Sequence, residues 1–260
     1  KFPARILVIF GLLALYTSSP AQDIIRLMQY NLLMYGDDFG GCNQSNNNIS
    51  DKNNYFRDII AYLQPDLISV NELGCEQELA NGLLDEAVNM AGYAYFRMSP
   101  ISCLSTPYLT NLVFYNEEKL SLYSSEIITT WIRDINVNTF YLNTSELPQS
   151  HDTIFFSCIS AHLKAGSDAS NETERAYETA TLMEYLENHP LKGHAVVMGD
   201  LNLYSASEQA YLNLTACSGA LCFKDPLDEE GNWHSNSSYR EIHTQSTHDQ
   251  TNGCPSGGGL

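Results

Sequence analysis

Basic residues are scarce in this chain. Its 260 residues hold 13 Lys and Arg against 31 Asp and Glu, a formal net charge of −18. No cluster of Lys and Arg occurs; the cations are scattered singly. Such a chain is poorly built to draw its affinity from neutralising many phosphates. A phosphate-bearing substrate is therefore small, or a bound cation carries the local phosphate charge. The plain alternative is that acidity keeps an exported protein soluble. Long apolar runs are lacking too. The stretch from Ile6 to Tyr16 is too short to span a membrane comfortably, and no other is longer. No cysteines and histidines stand at zinc-ligand spacing, and no internal repeat is visible.

What is present begins with the leader. Lys1 and Arg5 precede the apolar run, and Ser19-Pro20-Ala21 resembles a small-x-small cleavage site. Residues 1–21 read as a Sec signal peptide, with export to the periplasm or beyond the cell, and residues 22–260 as one domain. No cysteine near the cut suggests a lipid anchor. Seven cysteines in an oxidising compartment favour disulfides, and the odd number leaves at least one unpaired. Cys158, inside an apolar run, is the candidate buried thiol. Cys42 and Cys75 each follow a strand end, which suggests that these two lie together.

Along the chain, residues 24–31 read as a strand and 36–51 as a polar loop. Tyr55, Ile59, Ile60 and Leu63 recur at helical spacing over Asp51 to Gln64, and Pro65 stops that helix. Leu67 to Val70 is a short buried strand, and Glu76 to Met90 a second helix. Residues 93–98, 110–115, 122–130, 137–142 and 153–161 read as strands. Asn171 with Glu174 forms a capping pair for a helix whose apolar stripe is Ala176, Ala180, Met183 and Leu186. A buried strand over 194–198, a short helix from about Ser207 to Ala216 and a strand from Tyr239 to Gln245 follow. Helix–strand alternation at both ends, with consecutive strands between, predicts two packed sheets covered by helices.

Four apolar segments each end in a polar residue: Asn31, Glu72, His162 and Asp200 with Asn202. Each alone has a bland reading. Asn31 suits a turn, Glu72 an exposed strand end, His162 a hydrogen-bonded structural histidine, and Asp200-Leu201-Asn202 an Asx-type turn. An extended backbone would instead place Asp200 and Asn202 on one face. Their order and shared context favour one site, because ligands in α/β sheets gather at the carboxyl ends of strands.

The stretches RLMQYN at 26–31, PDLISVNE at 65–72, ISAHLKAG at 159–166 and VVMGDLN at 196–202 resemble the endonuclease/exonuclease/phosphatase superfamily. That group includes DNase I, apurinic endonucleases, neutral sphingomyelinases and inositol-polyphosphate 5-phosphatases, and the likeness is to its secreted bacterial members. The resemblance implies an α/β (α+β) four-layer sandwich of two packed mixed β-sheets flanked by helices. It implies hydrolysis of a phosphoester, foremost a phosphodiester as in nucleases, by in-line attack of water. The substrate would be nucleic acid, a phospholipid or a small phosphorylated metabolite, handled by a monomer with no protein partner indicated. Glu72 would bind Mg²⁺ (or Mn²⁺) with Asn31 beside it. Asp200 would orient or deprotonate the water. Asn202 would hold a phosphate oxygen, and His162 would assist the leaving group or bind phosphate. Asn111 in TNLVFYN would lie near the phosphate. His243 and Thr244 line the same mouth or serve strand-end packing. The family closes with an Asp-bearing strand and a Ser-Asp-His-like motif, which the residues up to Leu260 do not show; His248, followed by Asp249, does not match it. The domain thus reads as incomplete at its carboxyl end, and the fragment by itself as inactive. The rival classes are a sandwich that has kept its shape and lost its chemistry, and, on the Asn/Ser-rich loops alone, a carbohydrate-binding or adhesive protein. Metal-dependent turnover separates either from an enzyme.

Overall fold

The computed structural model describes residues 24–38, 40–143, 153–217, 221–242 and 253–254. The leader, His243, Thr244 and His248 lie outside the described residues.

The first strand, β1 (Leu27–Tyr35), is followed by α1 (Ile49–Leu63) and β2 (Leu67–Gly74). Helix α1 starts two residues earlier than its apolar spacing suggested, because Asn48 caps it by accepting the Asp51 N–H at 2.8 Å. It ends on Gln64 in the left-handed conformation, just before Pro65. The expected helix over 76–90 is three windings in series. These are α2 (Gln77–Leu83), a π turn (Leu84–Val88) and a 3₁₀ turn (Asn89–Ala91) closed by left-handed Gly92. Strands β3 (Phe96–Met98), β4 (Leu109–Asn116), β5 (Leu120–Ile128), β6 (Ile135–Leu142) and β7 (Phe155–His162) fill the strand-rich middle. Then come α3 (Ala169–Asn188), β8 (His194–Asp200) and α4 (Gln209–Thr215).

Two mixed four-stranded sheets result, in the orders β1-β2-β4-β3 and β5-β6-β7-β8. Each holds one parallel pair joined through a helix, β1 with β2 and β7 with β8; the other pairings are antiparallel. One core packs α1 and α2 on the first sheet through Phe56, Ile60, Ala80 and Leu83. A second packs α3 and α4 on the other sheet through Leu182, Leu186 and Leu214. Between the sheets, Leu67, Val113, Leu120, Phe140 and Cys158 form a third. Helix, sheet, sheet and helix are thus the four layers that the motifs implied.

Several expectations change. Helix α3 starts at Ala169 after Asp168, so Asn171 does not cap it. Its side chain instead folds against Gly166, where an added Cβ would lie 2.4 Å from the Asn171 amide. The buried face of α3 is Arg175, Glu178, Thr179, Leu182 and Leu186, and Ala180 is exposed. The buried face is thus turned from the expected stripe, sharing only Leu186 with it, and carries two charged side chains. Strand β8 is half-buried rather than buried, since among the described residues it pairs with β7 alone. Of the strand expected over Tyr239 to Gln245, residues 243–245 lie outside the described residues. Residues 239–242 instead end a 3₁₀ turn over Ser237–Tyr239 and continue as turn, with the Asn236 side chain accepting Ser238 N–H.

The disulfides are Cys42–Cys254, Cys75–Cys103 and Cys217–Cys222, so Cys42 and Cys75 do not pair. Cys75, just past β2, is met by the loop between β3 and β4, and Cys42 by Cys254. Cys158 is free and buried, as its apolar run suggested.

Candidate active site

The two parallel pairs face each other across the sandwich, and their carboxyl ends converge. His162 and Asp200 end β7 and β8, whereas Asn31 and Glu72 lie inside β1 and β2, which run on to Tyr35 and Gly74 rather than stopping at the polar residue. The Asn31 amide nitrogen donates to Glu72 Oε1 at 2.9 Å and to Asp200 Oδ2 at 3.0 Å. His162 Nε2 lies 3.7 Å from Glu72 Oε1 and 4.0 Å from Asp200 Oδ2. Residues 169 positions apart in sequence thus share one hydrogen-bonded cluster.

Irregular backbone makes this possible. The ladder between β1 and β2 shifts register between Asn31 and Tyr35, and that between β2 and β4 shifts between Val70 and Leu73. Bulges of this kind re-aim side chains. Leu33 (φ 51°), Met34 (φ 53°), Glu72 (φ 59°) and Asn202 (φ 49°) all adopt the left-handed region, at a cost of roughly 1–2 kcal/mol for each residue bearing a side chain. The bulge in β1 turns Met34 N–H onto Glu72 Oε2 at 3.0 Å and Leu33 N–H onto Asn31 Oδ1 at 2.8 Å. The latter contact fixes the Asn31 amide with its oxygen inward and its nitrogen toward the carboxylates. Gly199 (φ 152°) precedes Asp200 in β8; a Cβ there would lie 1.7 Å from the carbonyl oxygen of Ala161.

Asp200 and Asn202 do not share the face of an extended strand. Asn202 turns back, its N–H donating to Asp200 Oδ1 at 3.2 Å and its side-chain nitrogen to the Leu163 carbonyl at 3.0 Å. The Asx-type turn and the polar cluster are one structure. Asn111 lies beneath the mouth rather than on it, 3% exposed. Its oxygen accepts Asn71 Nδ2 at 2.7 Å, and its nitrogen donates to the Asp134 carbonyl at 2.8 Å.

Three residues around the site escaped sequence reasoning. Asn71 is fully buried, and its Oδ1 accepts the Asp200 N–H at 2.8 Å. Its adjacency to Glu72 was the available signal. Lys52 on α1 donates to the carbonyls of Leu32 and Leu33. Burial lowers its pKa to about 8, against the opposing pull of Glu72. Arg133, between β5 and β6, donates to the carbonyls of His162 (3.4 Å) and Leu163 (3.0 Å). Nothing local in the sequence marks either cation. Burial lowers the His162 pKa to about 3, with the Arg133 charge adding to the effect, so the imidazole is neutral.

Neutral imidazole and two carboxylates suit a hard divalent cation. One donor atom from each of Glu72, His162 and Asp200 lies within 4.8 Å of the others. Each oxygen of Glu72 accepts one hydrogen bond, which leaves lone pairs for an ion. No helix among the described residues is long and apolar enough to cross a membrane.

A scan against protein-family models finds no match, and no curated protein matches the sequence. Solved structures do. The human Nocturnin catalytic domain with bound sulfate anion aligns at 18% identity with a TM-score of 0.50, over 74% of this chain and 70% of that one. A humanized D. rerio TDP2 aligns at 18% identity and a TM-score of 0.47 over 70% of this chain; this chain spans 64% of its length. An endonuclease/exonuclease/phosphatase family protein from Bacteroides thetaiotaomicron aligns at 13% identity and a TM-score of 0.47, over 73% and 66%. At these identities the likeness is one of fold. The chain has the DNase I-like α/β sandwich that its motifs implied.

Proposed function

We propose that this chain is a divalent-metal-dependent phosphoester hydrolase of the endonuclease/exonuclease/phosphatase superfamily, acting on a phosphodiester. The observation that carries the reading is the joint hold of Asn31 on Glu72 and Asp200, across the two facing parallel strand pairs. Glu72, with Asn31 beside it, would hold Mg²⁺ or Mn²⁺, which would neutralise charge on the phosphoryl group. Asp200, the more exposed carboxylate at 36% of its side chain, faces incoming solvent and takes the water's proton. Asn202 releases the Leu163 carbonyl and binds a phosphate oxygen. His162 offers Nε2 to the leaving group or to a phosphate oxygen from the same space. Asn31 keeps the two carboxylates in register, and Asn111 supports them from below through Asn71.

Three disulfides support work in an oxidising compartment, in keeping with export.

The test is hydrolysis of bis(p-nitrophenyl) phosphate against p-nitrophenyl phosphate by the full-length protein, with EDTA and then added Mg²⁺ or Mn²⁺. Diester turnover that EDTA abolishes and the metal restores is expected. Asp200→Ala should lower it about a thousandfold with the fold kept. Turnover indifferent to EDTA overturns the metal. A folded protein with no turnover on either ester makes the sandwich a binding module. On an oligonucleotide, a steep loss of affinity with salt would mark a polyanionic substrate, and a shallow one a small phosphoester.

A further inference from the structure

The bulge after Asn31 needs an explanation of its own. Leu33 and Met34 are consecutive left-handed residues, and neither leucine nor methionine favours that region. No glycine relieves them. What holds them comes from outside the strand. Lys52 Nζ, on α1, donates to the carbonyl of Leu32 and, at 2.5 Å, to that of Leu33. Buried Asn47, just before α1, donates its side-chain nitrogen to the Leu33 carbonyl at 2.8 Å and to that of Met34 at 3.4 Å. With their carbonyls drawn toward α1, the same peptides turn their N–H groups the opposite way. Leu33 N–H then meets Asn31 Oδ1, and Met34 N–H meets Glu72 Oε2.

We infer that Lys52 is a positioning residue for the metal site, acting through the left-handed peptides of Leu33 and Met34 on the orientation of Glu72 and Asn31. The inference rests on the reading of Glu72 as a metal ligand. Lys52 spends its ammonium on backbone carbonyls, so it does not touch substrate. Its stem spans from helix to bulge and fixes the distance between α1 and the end of β1. Partners that hold a ligand in place typically govern metal affinity by about 10- to 100-fold when removed. A lysine that merely packed its stem on the surface would leave affinity unchanged.

The experiment compares Lys52→Met and Lys52→Arg with wild type in the full-length protein. Three quantities are read: hydrogen-exchange protection of the Met34 amide without metal, Mn²⁺ affinity by calorimetry, and kcat against KM. In Lys52→Met, Met34 protection should fall. Mn²⁺ affinity should drop about 10- to 100-fold, and kcat at fixed Mn²⁺ should fall with KM little changed. Lys52→Arg should recover most of each loss. If Lys52→Met does not fold, Asn47→Ala removes the other donor to the Leu33 carbonyl and should shift the same quantities in the same direction. Wild-type protection together with wild-type Mn²⁺ affinity in the variant overturns the inference. Should wild type bind no divalent cation, the metal-dependent function falls, and Met34 protection alone still decides whether Lys52 holds the bulge.

Discussion

The side-chain oxygen of Asn71, on the second strand of one sheet, accepts the backbone N–H of Asp200, the last residue of the other sheet's edge strand, at 2.8 Å. The bond crosses the interface between the sheets. It sets the height at which the Asp200 carboxylate meets Asn31, and it makes a fully buried amide part of the site's frame.

Asn71→Ala should therefore damage both stability and turnover. It leaves the Asp200 N–H and the Asn111 oxygen without their partners, at about 1–3 kcal/mol for each buried group. Denaturant unfolding should show a loss of roughly 2–4 kcal/mol. Diester turnover should fall by about tenfold or more with KM nearly unchanged, because a misplacement of the acting carboxylate is felt in the transition state. A stability loss with unaltered kcat would remove Asn71 from the frame of the site.

Glu178 should contribute a loss of stability as pH rises through the acid range. Burial raises its pKa to about 7 from 4.5, against the pull of the Lys164 N–H and Arg133. The unfolded carboxyl ionises first, so between about 4.5 and 7 the folded state holds the extra proton. Folding is favoured fully below that window and loses roughly 3 kcal/mol on crossing it. Glu178→Gln should flatten that part of the stability–pH curve and be the more stable protein at pH 8. An unchanged curve in chemical denaturation refutes the assignment.

Arg175 should prove a structural strut. At 1% exposure it pairs with Glu208 at 2.8 Å, donates to the carbonyls of Lys164 (2.9 Å) and Gly166 (2.7 Å), and lies over the Tyr204 ring. It ties the loop after His162 to the loop after Asn202. Arg175→Met strands the Glu208 charge, and breaking a buried pair in this way costs about 3–5 kcal/mol. Arg175→Met with Glu208→Gln should recover part of that loss. A double variant no better than the single would show that packing, not charge, is what Arg175 supplies.

The Cys158 thiol should be inert in the native protein. Burial raises its pKa to about 12, so almost no thiolate is present at neutral pH. Mass spectrometry after iodoacetamide should find no adduct until denaturant is added, and then one per chain. Labelling under native conditions at a rate independent of unfolding would place Cys158 elsewhere than between the sheets.

Much of the fold was legible because periodicity and punctuation are local. The helix over α1 showed in the spacing of Tyr55, Ile59, Ile60 and Leu63 and in Pro65. The strand-rich middle showed in its runs of apolar and β-branched residues. The stripe on α3 misled for a physical reason. Its buried face is held by Arg175 and Glu178, and charged side chains enter a core only when partners elsewhere in the chain satisfy them. Those partners, Glu208 for the one and the Lys164 N–H for the other, cannot be read from the helix itself. The pairing of Cys42 with Cys254, across 212 positions, is non-local in the same way.

By itself the sequence determined which polar side chains follow which apolar runs, Asn31, Glu72, His162 and Asp200, although only the last two end their strands. Apolar runs are written in local composition, and residue type decides what chemistry is on offer. Tertiary structure decided where those side chains point. Left-handed peptides at Leu33, Met34, Glu72 and Asn202 abandon the extended geometry that sequence spacing assumes. Those at Leu33 and Met34 are held by Lys52 and Asn47, that at Asn202 bonds the Leu163 carbonyl, and Asp200 beside it is fixed by Asn71, contacts that reach from 13 to 129 positions along the chain. No local pattern encodes such distances, because the energy that stabilises each bulge comes from residues that only folding brings together.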